Sequence, residues 1–199
     1  MATTDKFLKL EDVFEFSYPA GPRHTGYWLF VRERGTVTGS YFDYLRGIRR
    51  PKKPIVFDVK MGRSETDVLG NASGMCIVSN EVIQLWKAEN ITGWDTFPVQ
   101  IFDRTGNSLS KRYSGITVKG RAGKLDYNRS GAKTYLDEND EEVILSMEAI
   151  YFDLRKWDGS DIFLLDDGNW VLVTRRVIDL MKREKLTGWL ATPIKKFKA

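Results

Sequence analysis

The chain has 199 residues, a formal net charge of +4, one cysteine (Cys76) and one histidine (His24). A single thiol excludes an internal disulfide framework or a thiolate metal cluster, and a single imidazole excludes two-histidine zinc sites. Apolar residues make up 42%, including six Trp, eight Tyr and eleven Phe, enough for a substantial core; no apolar run approaches a membrane span and no apolar leader follows Met1, so a cytoplasmic location is expected.

In chain order, Val13–Tyr18 and Tyr27–Val31 read as strands separated by a turn-rich run from Pro19 to Gly26. His24 falls in that run and reads as an exposed loop residue. Arg46–Pro54 is a proline-bounded basic loop, Ile55–Val59 a buried strand and Thr66–Gly74 a loop. Met75–Val78 reads as an apolar strand ending at Ser79, a hydroxyl placed to cap a helix. Val82, Leu85 and Trp86 then recur at helical spacing. The helix should stop near Asn90, which tolerates a left-handed backbone, with Ile91 as the apolar closing contact. Thr92-Gly93-Trp94 forms a turn, and an extended segment follows over Phe97–Phe102. Pro98 near its start suits a first or edge residue. Arg112–Val118 and Val143–Phe152 read as further strands, around the segment from Gly123 to Ser130 and the acidic turn Asp137–Glu142.

The segment 172–197 repeats the segment 77–102 at a constant offset of 95, with eleven identities in 26 positions. They are Val78/Val173, Val82/Val177, Ile83/Ile178, Leu85/Leu180, Lys87/Lys182, Glu89/Glu184, Thr92/Thr187, Gly93/Gly188, Trp94/Trp189, Pro98/Pro193 and Phe102/Phe197. Self-similarity at a fixed offset marks a repeated structural unit. The second copy therefore predicts a strand over Trp170–Val173, a cap at Thr174, a helix ending near Lys185 and an extended stretch over Thr192–Phe197. Trp94 and Trp189 read as fillers of equivalent core pockets. The fold class that follows is α+β, with mixed or antiparallel sheets and a duplicated strand–helix–strand unit. One compact domain over 1–199 would comprise a β-rich part (1–62), a first unit (63–105), a β-rich insert (106–156) and a second unit (157–199).

No motif for catalysis stands out. Asp137, Asn139, Glu141 and Glu148 mimic part of a calcium loop, but its obligatory glycine position is Glu142, so no metal is expected. Asp166 and Asp167 lie in a turn sequence. The glycines do not form a phosphate-binding fingerprint, and Cys76 reads as a buried structural thiol. No cofactor is expected, and binding rather than enzymatic catalysis is the expected activity. Charge is uneven: between Arg46 and Arg63 there are seven basic residues and the single acid Asp58. Two charged segments are therefore candidate partner contacts: Arg46, Arg49, Arg50, Lys52 and Lys53 in the basic loop, and Asp137, Glu138, Asp140, Glu141 and Glu142 in the acidic turn. The basic stretch 46–63 also admits a nucleic-acid or phosphate ligand, although no nucleic-acid-reading motif accompanies it.

Several segments, in order, carry a family resemblance. They are Lys53-Pro-Ile-Val-Phe-Asp-Val-Lys60, Thr66-Asp-Val-Leu69, Ile77-Val-Ser79 with its helix, Gly93-Trp-Asp-Thr-Phe-Pro-Val99, Lys124-Leu-Asp-Tyr-Asn-Arg-Ser130, Gly159-Ser-Asp-Ile-Phe163, and 171–193 with Leu186-Thr-Gly188. Together, over about residues 53 to 197, they resemble the eleventh immunity class of bacterial polymorphic toxin systems, formerly a domain of unknown function with a myxobacterial type member. The resemblance implies a cytoplasmic, non-enzymatic protein that binds and neutralises a cognate toxin, protecting its producer in bacterial competition. It transfers no catalytic residues. Inhibitors of nucleases are typically acidic, so in this basic chain either Asp137–Glu142 covers the toxin locally or the toxin has another activity.

Overall fold

A computed structural model describes residues 8–18, 30–35, 39–71, 73–136 and 142–198. Thirteen strands and three α-helices are assigned among them. The first part holds β1 (Val13–Ser17), β2 (Phe30–Glu33), α1 (Tyr41–Leu45), β3 (Ile55–Met61) and β4 (Val68–Asn71). Then come β5 (Ile77–Ser79), α2 (Asn80–Ala88), β6 (Trp94–Phe102), β7 (Tyr113–Val118) and β8 (Gly120–Arg121). A hairpin of β9 (Lys133–Leu136) and β10 (Glu142–Ser146) is followed by β11 (Ile162–Leu164), β12 (Leu172–Thr174), α3 (Arg175–Arg183) and β13 (Leu190–Pro193). The chain is thus α+β with mixed and antiparallel sheets. No helix among the described residues is long and apolar enough to cross a membrane.

Six strands close into a barrel in the order β2-β3-β6-β7-β5-β4, and five form an open sheet in the order β13-β1-β12-β11-β8. The barrel interior is filled by Val31, Phe57, Val59, Leu69, Ile77, Phe97 and Ile101. A second cluster lies where α2 and α3 meet. Val82, Ile83 and Trp86 from one helix join Val177, Ile178, Leu180 and Met181 from the other over Val78, Val173, Ile116 and Ile162. A third cluster gathers Val13, Leu125, Ile150, Phe152, Phe163, Leu172 and Ile194.

The two helices end as their sequences predict. Asn90 (φ 53°) and Lys185 (φ 54°) both turn left-handed. The Ile91 amide donates to the Trp86 carbonyl and the Leu186 amide to the Met181 carbonyl, both closing the last helical turn in the Schellman manner. The two caps differ. Ser79 Oγ accepts from the Val82 amide, whereas Thr174 makes no side-chain cap bond.

The strand neighbours are laid out alike around each helix. Strand β7 lies between β5 and β6, with Tyr113 opposite Ser79, Ser114 opposite Val78 and Pro98, and Ile116 opposite Thr96. Strand β1 lies between β12 and β13, with Val13 opposite Thr174, Phe14 opposite Val173 and Pro193, and Phe16 opposite Ala191.

Four sequence expectations need correction. Thr66–Gly74 is not all loop, because β4 pairs within it to both β2 and β5. Pro98 is mid-strand rather than at a strand start. It sits at a hand-over: Trp94–Pro98 pairs with β7 and Val99–Phe102 with β3, so its missing N–H interrupts neither ladder's continuation. The stretch Thr192–Phe197 is extended only to Pro193 and then makes a 3-10 turn over Ile194–Lys196. The strand expected over Val143–Phe152 stops at Ser146, after which Ile150 donates to the Ile194 carbonyl and Phe152 bridges Leu125. The five-residue helix α1 was not expected, although Ser40 and Asp43 form a complete capping box.

Candidate partner-binding surface

The basic loop leaves the C-terminal end of α1 and is largely committed to holding the chain together. The Arg46 guanidinium donates to the carbonyls of Leu165, Asp166 and Gly168, so it braces a turn more than a hundred residues away. Arg49 pairs with Asp43 at 3.2 Å, and Arg50 pairs with Asp95. Arg121 donates to the Arg46 carbonyl and fixes the start of the loop. Lys52 and Lys53 are exposed and have no ion-pair partner among the described residues; Ile48 beside them is 68% exposed. The structure thus gathers the five basic residues in one loop but turns three of them inward or onto neighbours.

The acidic segment connects β9 to β10. Asp137, Glu138, Asp140 and Glu141 lie outside the described residues, and Glu142 begins β10 opposite Leu136. Among the described residues the ribbon pairs with no other strand. Its base is anchored: Ala132 and Ile144 pack on the third core cluster, and the Glu148 amide donates to the Ser130 carbonyl at 3.0 Å. Of its other side chains, Tyr135, Leu136 and Leu145 are 49%, 64% and 66% exposed. Leu145 is the extra residue where the pairing shifts between Ile144 and Ser146, so the bulge re-aims it outward.

An isolated two-stranded ribbon is marginal in water, and three large apolar side chains on it gain nothing from exposure. Sequence reasoning singled out the acids and missed the apolar residues. The available signal was adjacency: Tyr135-Leu136 and Val143-Ile144-Leu145 flank the acidic run on both sides.

Elsewhere the chemistry is structural. The Asp167 carboxylate accepts from the Leu125 amide at 2.9 Å, and the Asp166 amide donates to the Gly123 carbonyl at 2.7 Å, so this pair pins a turn. Cys76 is buried, and burial pushes its thiol up to about 12. Trp94 and Trp189 are half-buried against the helix-facing cluster, and each indole N–H donates at 2.8 Å to the carbonyl three residues earlier, Ile91 or Leu186. His24 lies outside the described residues, as do Asp137, Asn139 and Glu141 of the calcium-loop pattern.

No family model matches this chain, and no curated protein matches it.

Proposed function

We propose that this protein is a cytoplasmic immunity protein that binds and neutralises a cognate bacterial toxin, and that it acts by contact rather than catalysis. The observation that carries this reading is the anchored β9–β10 ribbon, which exposes Tyr135, Leu136 and Leu145 and whose strands are joined by the strongly acidic sequence 137–142. An apolar centre with a charged margin is the anatomy of a specific protein interface, and the charges set encounter rate and partner choice. The partner that fits is a protein presenting an apolar patch rimmed by Lys or Arg. The ribbon alone does not reach the roughly 1,200 Å² that a stable complex buries. Lys52, Lys53 and Ile48 offer a second exposed contact. Co-expression with the product of the adjacent gene, scored for rescue of growth and for co-purification, tests the proposal. Neither rescue nor a complex would sink it.

We also infer that the fold is built from two copies of one unit. The matching registers around α2 and α3 support this, as do Ile55, Phe57 and Asp58, which recur as Ile150, Phe152 and Asp153 at the same offset of 95. On this reading β1 does for the second copy what β7 does for the first.

A further inference from the structure

Strand β1 lies between β13 and β12 in the open sheet, and its central residue is a glutamate. Glu15 pairs with Leu172 on one side and Thr192 on the other and is only 9% exposed. Its carboxylate accepts one hydrogen bond, from Ser17 Oγ at 3.1 Å, and no basic group approaches it among the described residues. A carboxylate so placed is costly unless something compensates it. Burial raises its pKa above the ordinary carboxylate value, only partly offset by the Ser17 hydroxyl.

The residue at the matching register of the other sheet is Gly115, opposite Ile77 and Phe97. There the Phe97 ring occupies the space a side chain on Gly115 would need, so the position is filled. Glu15 instead borders a cleft. The cleft, of about 470 Å³, is lined by Glu15, Phe16, Tyr18, Phe42, Cys76 and Trp170 among others, and among the described residues no Lys, Arg or His lines it. The Tyr18 hydroxyl is already donated to the Asn71 carbonyl, and the Asn169 side chain faces Arg46. Among the described residues Glu15 is therefore the one charged group lining the cleft, within walls that are mostly aromatic and apolar.

We propose that this cleft binds a small organic cation, an amine or quaternary ammonium on an apolar or aromatic body, with Glu15 as its counter-ion. Aromatic faces attract cations, and an apolar pocket with one placed charge is the usual form of a small-molecule site. The volume suits a ligand of one or two rings.

The test is titration of the full chain with 2-phenylethylamine and, separately, with neutral 2-phenylethanol, followed by amide and indole NMR shifts. Saturable shifts at Ser17 and Trp170 are expected, with the amine bound at least tenfold more tightly than the alcohol. Glu15→Gln should abolish that preference while leaving the rest of the spectrum in place. Trp170→Leu should weaken both ligands. Absence of saturable shifts with the amine, equal affinity for amine and alcohol, or a preference that survives Glu15→Gln would each overturn the proposal.

Discussion

The Asp67 carboxylate holds Thr187, accepting from its amide at 2.7 Å and its hydroxyl at 2.9 Å across 120 residues of chain. Asp161 does the same for Thr92, at 3.0 Å and 3.2 Å. Each carboxylate also reaches the hydroxyl residue that starts a helix, Ser79 for Asp67 and Thr174 for Asp161. The two helical turns are thereby cross-tied, each by an aspartate lying ahead of the other helix. Asp67→Ala should destabilise the protein by about 3 kcal/mol, the scale for breaking a buried, hydrogen-bonded charge. In urea denaturation, a double-mutant cycle between Asp67→Ala and Thr187→Val should return a coupling of about 1 kcal/mol. Purely additive losses would contradict the cross-tie.

The same carboxylate sets an acid limit on stability. Burial opposes its charge, but the Lys111 ammonium at 2.7 Å and the amide and hydroxyl of Thr187 outweigh burial and hold the Asp67 pKa below its ordinary value. A carboxyl group with a depressed folded pKa contributes stability above its unfolded pKa, about 4. That contribution is lost as pH falls through the folded pKa. Wild-type protein should therefore lose more stability between about pH 5 and pH 2 than Asp67→Asn does, as read from denaturation midpoints at each pH.

Glu15 works in the opposite sense. Its folded pKa is raised, so its contribution favours the folded state at low pH and fades as pH rises through that value. Glu15→Gln should be more stable than wild type by about 1 kcal/mol at pH 8, the cost of one poorly compensated buried polar group. The gap should close toward about pH 4. A variant less stable than wild type at pH 8 would show that the carboxylate is compensated after all.

Gly93 and Gly188 carry positive φ values of 88° and 82°. A methyl group at either would overlap a carbonyl oxygen of the opposite segment, Ile162 or Val68. Strain and overlap combine, so Gly93→Ala and Gly188→Ala should each cost about 2 kcal/mol or more. Thermal melts of the two single variants check this, and a loss within about 0.5 kcal/mol, as at an ordinary surface position, would contradict the close approach.

The ribbon predicts a separation of binding from folding. Leu136→Lys with Leu145→Lys should change stability by only about 0.5 kcal/mol per site, because both side chains are already in water. The same pair should weaken a partner complex by about 2 kcal/mol or more if these residues sit at its centre. Arg46→Ala should do the reverse, lowering stability through the loss of its carbonyl contacts while leaving partner affinity unchanged. Binding measured by calorimetry beside melting curves distinguishes the two.

The helices with their stops were legible because their signals are local: apolar spacing, a hydroxyl before each helix, and Asn90 or Lys185 where the backbone must turn. Strand β4 was not, since Val68-Leu-Gly-Asn71 has turn composition and is extended only because β2 and β5 flank it. The parallel pairings of β2 with β4 and of β3 with β6 close the barrel between segments far apart in sequence, which no periodicity reports. The basic loop was found correctly as a segment, but the partners of its arginines are non-local. Asp95 and the turn at 165–168 turned a charge run into struts. Glu15 escaped notice as one polar residue in an alternating strand, where the burial of both neighbours decides its meaning.

Among the described residues strand β1 pairs with segments 172–174 and 190–193. During synthesis it emerges well ahead of both partners. Val13, Phe14 and Phe16, all buried in the finished protein, have to wait for β12 and β13 before they can join this sheet. The barrel strands β2 to β7 lie entirely before residue 119 and can close earlier. Closure of the open sheet therefore waits on strands made long after β1, and a nascent chain stalled before β12 exposes an apolar strand to chaperones and to its own copies.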